Sequence, residues 1–131
     1  MKFHHTACLV DSIEEALKQY KLLLQDQFIV SEIYSINDQK VKVCFILLAN
    51  DDIHLELVEP LEGNDTLKRM LKKGSNFYHI AFKVENIESE IKRLTMADFR
   101  SISTFKSEAF HDKLCAFLIS TDNHLLELIE A

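Results

Sequence analysis

Residues 3–10 read as a strand, in which side chains alternate and set Thr6, Cys8 and Val10 against His5, Ala7 and Leu9. A period of two is that of a strand with two unlike faces. The period then changes. Ile13, Ala16, Leu17, Tyr20 and Leu24 fall on one face of a helix that runs to about Leu24. Ser12-Ile13-Glu14-Glu15 opens it as a capping box, in which hydroxyl and carboxylate satisfy N–H groups of the first turn. Three strands are predicted next, near 28–36, 41–49 and 53–59, the last two joined by a turn at Asn50-Asp51-Asp52.

The pattern then starts again. Residues 5–18, HTACLVDSIEEALK, align with residues 79–92, HIAFKVENIESEIK, at an offset of 74. Residues 44–59, CFILLANDDIHLELVE, align with residues 115–130, CAFLISTDNHLLELIE, at an offset of 71. Two matches in the same order, with similar internal spacing, identify a duplication. The second copy is predicted as a strand at 77–84, a helix after Asn86, and strands near 99–105, 113–119 and 124–130. Each copy therefore reads βαβββ. Between them, residues 61–75 form a linker with a short helix, capped by Asn64 or Asp65 and closed by Gly74. The expected fold is α+β: two βαβββ modules in tandem, about 1–60 and 76–131, forming a cupped mixed sheet within one domain of 131 residues.

Alternation assigns faces. Ile80, Phe82 and Val84 form the natural seat for the second helix, which puts His79 on the other face, as His5 is in the first copy. Glu56 and Glu127 are likewise set apart from the Leu55/Leu57 and Leu126/Leu128 faces. The duplication thus delivers one His and one Glu per copy at equivalent positions. A carboxylate in an apolar strand is costly unless paired or metal-bound. Two imidazoles and two carboxylates suit a divalent metal, with Zn, Ni, Co, Mn and Mg all open. The remaining candidates carry weaker expectations. His4 should face away from His5. His54 shares the Glu56 face and is expected to be exposed. His111 and His124 lie near turns, and Glu59 and Glu130 near strand ends, where solvation is expected.

Composition narrows the partners. A net charge of -6, from 15 basic and 21 acidic residues, argues against nucleic-acid binding. Cys8, Cys44 and Cys115 lie far apart in apolar runs, as reduced, buried thiols would. The start of the chain has no signal-peptide pattern, and no apolar run approaches the ~20 residues that span a bilayer. A cytoplasmic location without membrane attachment is expected.

The segments HTACLVDSIEEALKQY, LELVEPLEGNDTLKRMLKKG, YHIAFKVENIESEIKRL and LLELIE resemble the vicinal oxygen chelate superfamily of glyoxalases, bleomycin-resistance proteins and dioxygenases. Residues 57–61 with 78–82 are most similar to methylmalonyl-CoA epimerases. The resemblance implies a glyoxalase-like fold and a homodimer. It also implies a divalent metal (Co, Ni, Mn or Zn) on His5, Glu56, His79 and Glu127. The implied activity is metal-dependent movement of a proton alpha to a carbonyl on an acyl-CoA thioester, with Glu127 and Glu56 transferring the proton. Glyoxalase I, a lactoylglutathione lyase, uses the same ligand set and is the alternative enzyme, but Leu9 stands where that family carries Arg. A metal-free small-molecule binding protein of the bleomycin-resistance type is the alternative from another class. Epimerases usually carry a Gly-rich segment ending in Lys or Arg, then His-Pro-Lys, before the final strand, where this chain has Ile119-Ser120-Thr121. In place of the Gly-rich segment stands Phe110-His111-Asp112-Lys113, with only Lys113 matching the basic position implied to bind substrate.

Overall fold

The computed structural model describes residues 1–25, 27–48 and 54–131. In chain order the elements are β1 (Lys2–Leu9), α1 (Ile13–Leu24), β2 (Phe28–Val30), β3 (Tyr34–Ile36), β4 (Val41–Leu48), β5 (His54–Pro60), α2 (Asp65–Lys72), β6 (Phe77–Val84), α3 (Ile87–Met96), β7 (Arg100–Ser107), β8 (Lys113–Ile119) and β9 (Leu125–Glu130). This is an α+β order in which strand, helix and further strands occur twice, with α2 between. The turn expected at Asn50-Asp51-Asp52 lies outside the described residues. The chain divides into two compact units, Thr6–Tyr78 in one and Met1–His5 with His79–Ala131 in the other.

In the Thr6–Tyr78 unit the strands are ordered β2-β4-β5-β1, and β3 also pairs with β4. Helix α1 lies on one face. Ile13 packs with Cys44, Ile46 and Leu57, flanked by the half-buried Cys8, Val10, Ala16, Leu17 and Tyr20. These are the strand and helix positions that the two periods single out. In the other unit the order is β1-β6-β9-β8-β7, with β6 and β9 parallel. There α3 packs Ile87 and Leu94 against Val84, Ala116, Leu118 and Leu128. His5, His79 and Glu127 lie on the alternate positions and leave the helix layer to leucine and valine.

The single strand expected over 28–36 is two short ones. Val30 pairs with Ile46 and Tyr34 with Val43, so four steps on one strand oppose three on the other. Ser31 makes the break: its Oγ accepts from the Phe45 amide at 2.8 Å, and its own amide donates to the Phe45 carbonyl at 2.9 Å. The second copy repeats this irregularity, because Ser101 pairs with Leu118 and Ser103 with Phe117. One extra residue is a β-bulge, and it moves following side chains to the opposite face.

Helix starts carry the predicted side-chain caps, although the Glu15 carboxylate of the expected capping box pairs with Lys18 at 3.0 Å. Ser12 Oγ accepts from the Glu15 amide, Asn64 Oδ1 from Leu67 and Asn86 Oδ1 from Ser89. Gly74 closes α2 at φ +83°, a left-handed conformation that favours glycine. Glu59 and Glu130 depart from expectation. They are half-buried, and each accepts the amide of the first residue of its own module's helix: Ile13 to Glu59 Oε1 at 2.8 Å, Ile87 to Glu130 Oε1 at 3.4 Å. A carboxylate there satisfies a donor the helix cannot and meets the positive end of its dipole.

Leu128 is 1% exposed beneath α3, whereas Ile102 on β7 is 50% exposed. Leu128→Ala should lower the unfolding free energy by about 2–5 kcal/mol through the cavity it leaves. Ile102→Ala should change it by less than about 0.5 kcal/mol. Urea midpoints of the two variants check the contrast.

Candidate metal centre

Three side chains from three strands of one unit meet: His5 of β1, His79 of β6 and Glu127 of β9. Their relative exposures are 0%, 2% and 3%. Glu127 Oε2 lies 2.8 Å from His79 Nε2 and 3.6 Å from His5 Nε2, and the two imidazole Nε2 atoms are 3.1 Å apart. Each residue offers a ligand atom, all within 4.8 Å of one another. The register explains the meeting. Ala81 pairs with Glu127 in the parallel β6–β9 ladder, so His79, two residues earlier, shares the Glu127 face.

Aromatic rings wall the cluster. Phe117, paired with Glu127 across β8–β9, meets His79 edge-on at 5.3 Å between ring centroids. Phe110 stacks on His5 at 6.0 Å with 20° between the planes. It belongs to a 3-10 turn, Glu108–Phe110. His4 also differs from expectation. Instead of standing apart from His5, it brings its Nδ1 to 2.7 Å from His5 Nδ1.

Burial alone would push the Glu127 carboxyl pKa up. Hydrogen bonds and charge from His5 and His79 prevail and bring it down to about 2, so the carboxylate is ionised at neutral pH. A buried anion between two imidazole nitrogens is a mixed nitrogen and oxygen donor set, and it fits a divalent first-row metal.

Glu56 lies in the other unit, 3% exposed on β5 and paired with Phe45 of β4. Its neighbours in sequence, Leu55 and Leu57, pack with α1, so Glu56 projects to the face without the helix. Lys113 is exposed at the start of β8 opposite Ser107. His111 and His124 are exposed, as expected, while His54 is half-buried. His111 and Asp112 have φ of 55° and 61° in the stretch that lacks glycines, so the chain takes consecutive left-handed conformations there without them.

Cys44 and Cys115 are buried free thiols, and Cys8 is half-buried. Burial, with the nearby Glu56 charge, pushes the Cys44 thiol up to about 11.

The sequence pattern of the Glyoxalase/Bleomycin resistance protein/Dioxygenase superfamily matches residues 4–117, and the chain belongs to that superfamily. Over 98% of its length it is 30% identical to the uncharacterized protein YqjC of Bacillus subtilis (strain 168), covering 91% of that protein. The hypothetical protein BH1468 from Bacillus halodurans C-125 superposes with a TM-score of 0.84 at 25% identity, over 99% of this chain and 94% of that one. Methylmalonyl-CoA epimerase from Mycobacterium tuberculosis superposes with a TM-score of 0.84 at 19% identity, over 98% and 87%. The fold is thus glyoxalase-like and shared with methylmalonyl-CoA epimerases.

The Glu127 pKa has a consequence for stability. A group whose folded value lies below its unfolded value stabilises the protein above the unfolded value and ceases to do so as pH falls through the folded one. The window runs from 4.5 down to about 2. Across it, the wild-type urea midpoint should fall more steeply with acidification than that of Glu127→Gln. Parallel curves would show that Glu127 gains nothing from its two imidazoles.

Proposed function

We propose that the chain is a divalent-metal-dependent isomerase or epimerase that moves a proton alpha to a carbonyl on an acyl-CoA thioester. The observation that carries this reading is the buried cluster of His5, His79 and Glu127, in a fold shared with methylmalonyl-CoA epimerases. His5 and His79 would hold the metal through Nε2 and Glu127 through a carboxylate oxygen. Glu56, the counterpart of Glu127 in the first copy, is proposed as the fourth ligand on the strength of the duplication. Co, Ni, Mn and Zn suit this donor set. When bound, such a metal acts as a Lewis acid toward the charge that develops on a carbonyl oxygen.

The side chains supply the rest. Glu127, ionised at neutral pH, can accept the alpha proton. An epimerase must return a proton to the opposite face, and Glu56 is the carboxylate the repeat provides for that role. Phe110 and Phe117 cover the imidazoles with apolar rings, which limits water and strengthens the electrostatic interactions inside. Lys113, with its exposed ammonium group, is proposed to hold an anionic part of the substrate, such as a coenzyme A phosphate. The protein is expected to work as a homodimer in the cytoplasm.

Bound metal per chain should be close to one after loading with Co, Ni, Mn or Zn, and should be lost in a His79→Ala, Glu127→Ala double variant. The loaded protein should exchange the alpha proton of an acyl-CoA thioester with deuterium, and Glu127→Gln should slow that exchange by roughly 10²–10⁴-fold. Exchange with a glutathione hemithioacetal and not with the thioester would redirect the reading to a lactoylglutathione lyase. No metal under any loading would sink it in favour of a binding protein.

A further inference from the structure

His4 has no equivalent histidine in the second copy, where Tyr78 precedes His79. Its Nδ1 lies 2.7 Å from His5 Nδ1, and the rings meet nearly at right angles, 5.0 Å apart. Phe110 stacks on His5 and meets His4 edge-on at 5.4 Å, so one aromatic ring braces both imidazoles.

The hydrogens follow from the ligand roles proposed above. Glu127 Oε2 is 2.8 Å from His79 Nε2, which requires an N–H on His79 Nε2 donating to the carboxylate. His5 would hold the metal through Nε2, 3.1 Å from the same nitrogen, and in that role Nε2 must present a lone pair. A neutral imidazole with a lone pair on Nε2 carries its hydrogen on Nδ1. His5 Nδ1–H therefore donates to His4 Nδ1, which accepts, and His4 carries its own hydrogen on Nε2.

We propose that His4 is a positioning residue for the metal site: by accepting the hydrogen of His5 Nδ1, it fixes His5 in the tautomer and orientation that present the Nε2 lone pair to a metal. The inference rests on the metal reading above. Partners that hold the far nitrogen of a ligating histidine typically contribute 10–100-fold in metal affinity. His79, whose Nε2 donates to Glu127 in this arrangement, must give up that hydrogen to bind.

Two variants separate acceptor from bulk. His4→Phe keeps a ring against Phe110 and removes the acceptor, whereas His4→Asn retains an acceptor oxygen at the same branch of the side chain. Long-range ¹H–¹⁵N spectra of metal-free protein report the tautomer directly. His5 should be in the Nδ1–H form in wild type and in His4→Asn, and mixed in His4→Phe. Co²⁺ titration followed by visible absorption should give a dissociation constant raised about 10–100-fold in His4→Phe and close to wild type in His4→Asn. A His4→Phe protein with the wild-type tautomer and affinity overturns the inference while leaving the metal reading intact. Wild-type protein that shows the Nδ1–H form yet takes up no Co²⁺, Ni²⁺, Mn²⁺ or Zn²⁺ overturns the metal reading and the positioning role with it, leaving only the tautomer assignment.

Discussion

The arrangement turns on one buried anion. Glu127 is 3% exposed, and an ionised carboxylate at that depth costs several kcal/mol unless its surroundings compensate. Compensation comes from strand order. β9 is the middle strand of β1-β6-β9-β8-β7, so the partners of Glu127 must come from its two flanks and their neighbours. β6 brings His79 and β1 brings His5, both with Nε2 directed at the carboxylate. β8 contributes no polar partner at this level. It supplies Phe117, which closes one wall. The apolar layer under α3 then takes the alternate residues of the same strands, Leu128, Leu118 and Val84, so core and site are two faces of one ladder.

Much of this was legible in the sequence because it depends on period and repetition. Alternation places Glu127 and His79 away from the helix, and the offset of 71–74 residues pairs them with Glu56 and His5. What escaped depends on geometry that a period does not carry. The bulges at 31–33 and 101–103 turn one strand over midway, so Phe28 and Phe99 pack toward the helices while Ser103 joins the Phe117 face. No uninterrupted alternation runs through such a segment. Phe110 sits in a 3-10 turn, outside either period, and its place over His5 depends on tertiary packing. His4 was assigned by alternation to the wrong surroundings, since an imidazole is long enough to reach its neighbour's ring from the start of a strand. Glu59 and Glu130 stand three residues beyond Glu56 and Glu127, an odd step that turns them to the helix face. Their proximity to strand ends suggested solvent, but the helix N-termini are closer.

The two copies also show how a duplicated backbone diverges in use. Asn37–Gln39 and Glu108–Phe110 are equivalent 3-10 turns, each ended by a left-handed residue, Lys40 at φ 52° and His111 at φ 55°. In the first, the Gln39 and Lys40 carbonyls accept from Asn64 Nδ2, fastening the residue that caps α2. In the second, Phe110 at the position of Gln39 covers an imidazole. One turn has become a structural anchor and the other a wall of the candidate site.

Two glutamates tie β9 to its alignment. Glu127 and Glu130 are three residues apart and so leave the strand on opposite sides, one toward the imidazoles and one toward the α3 amide. If β9 slid by a single residue, Leu128 would enter the polar cluster and Glu127 would be driven among the leucines beneath the helix. The same displacement would strip α3 of its acceptor. A misaligned strand is thereby penalised at both faces at once. The two carboxylates thus mark the register of the ladder that carries them.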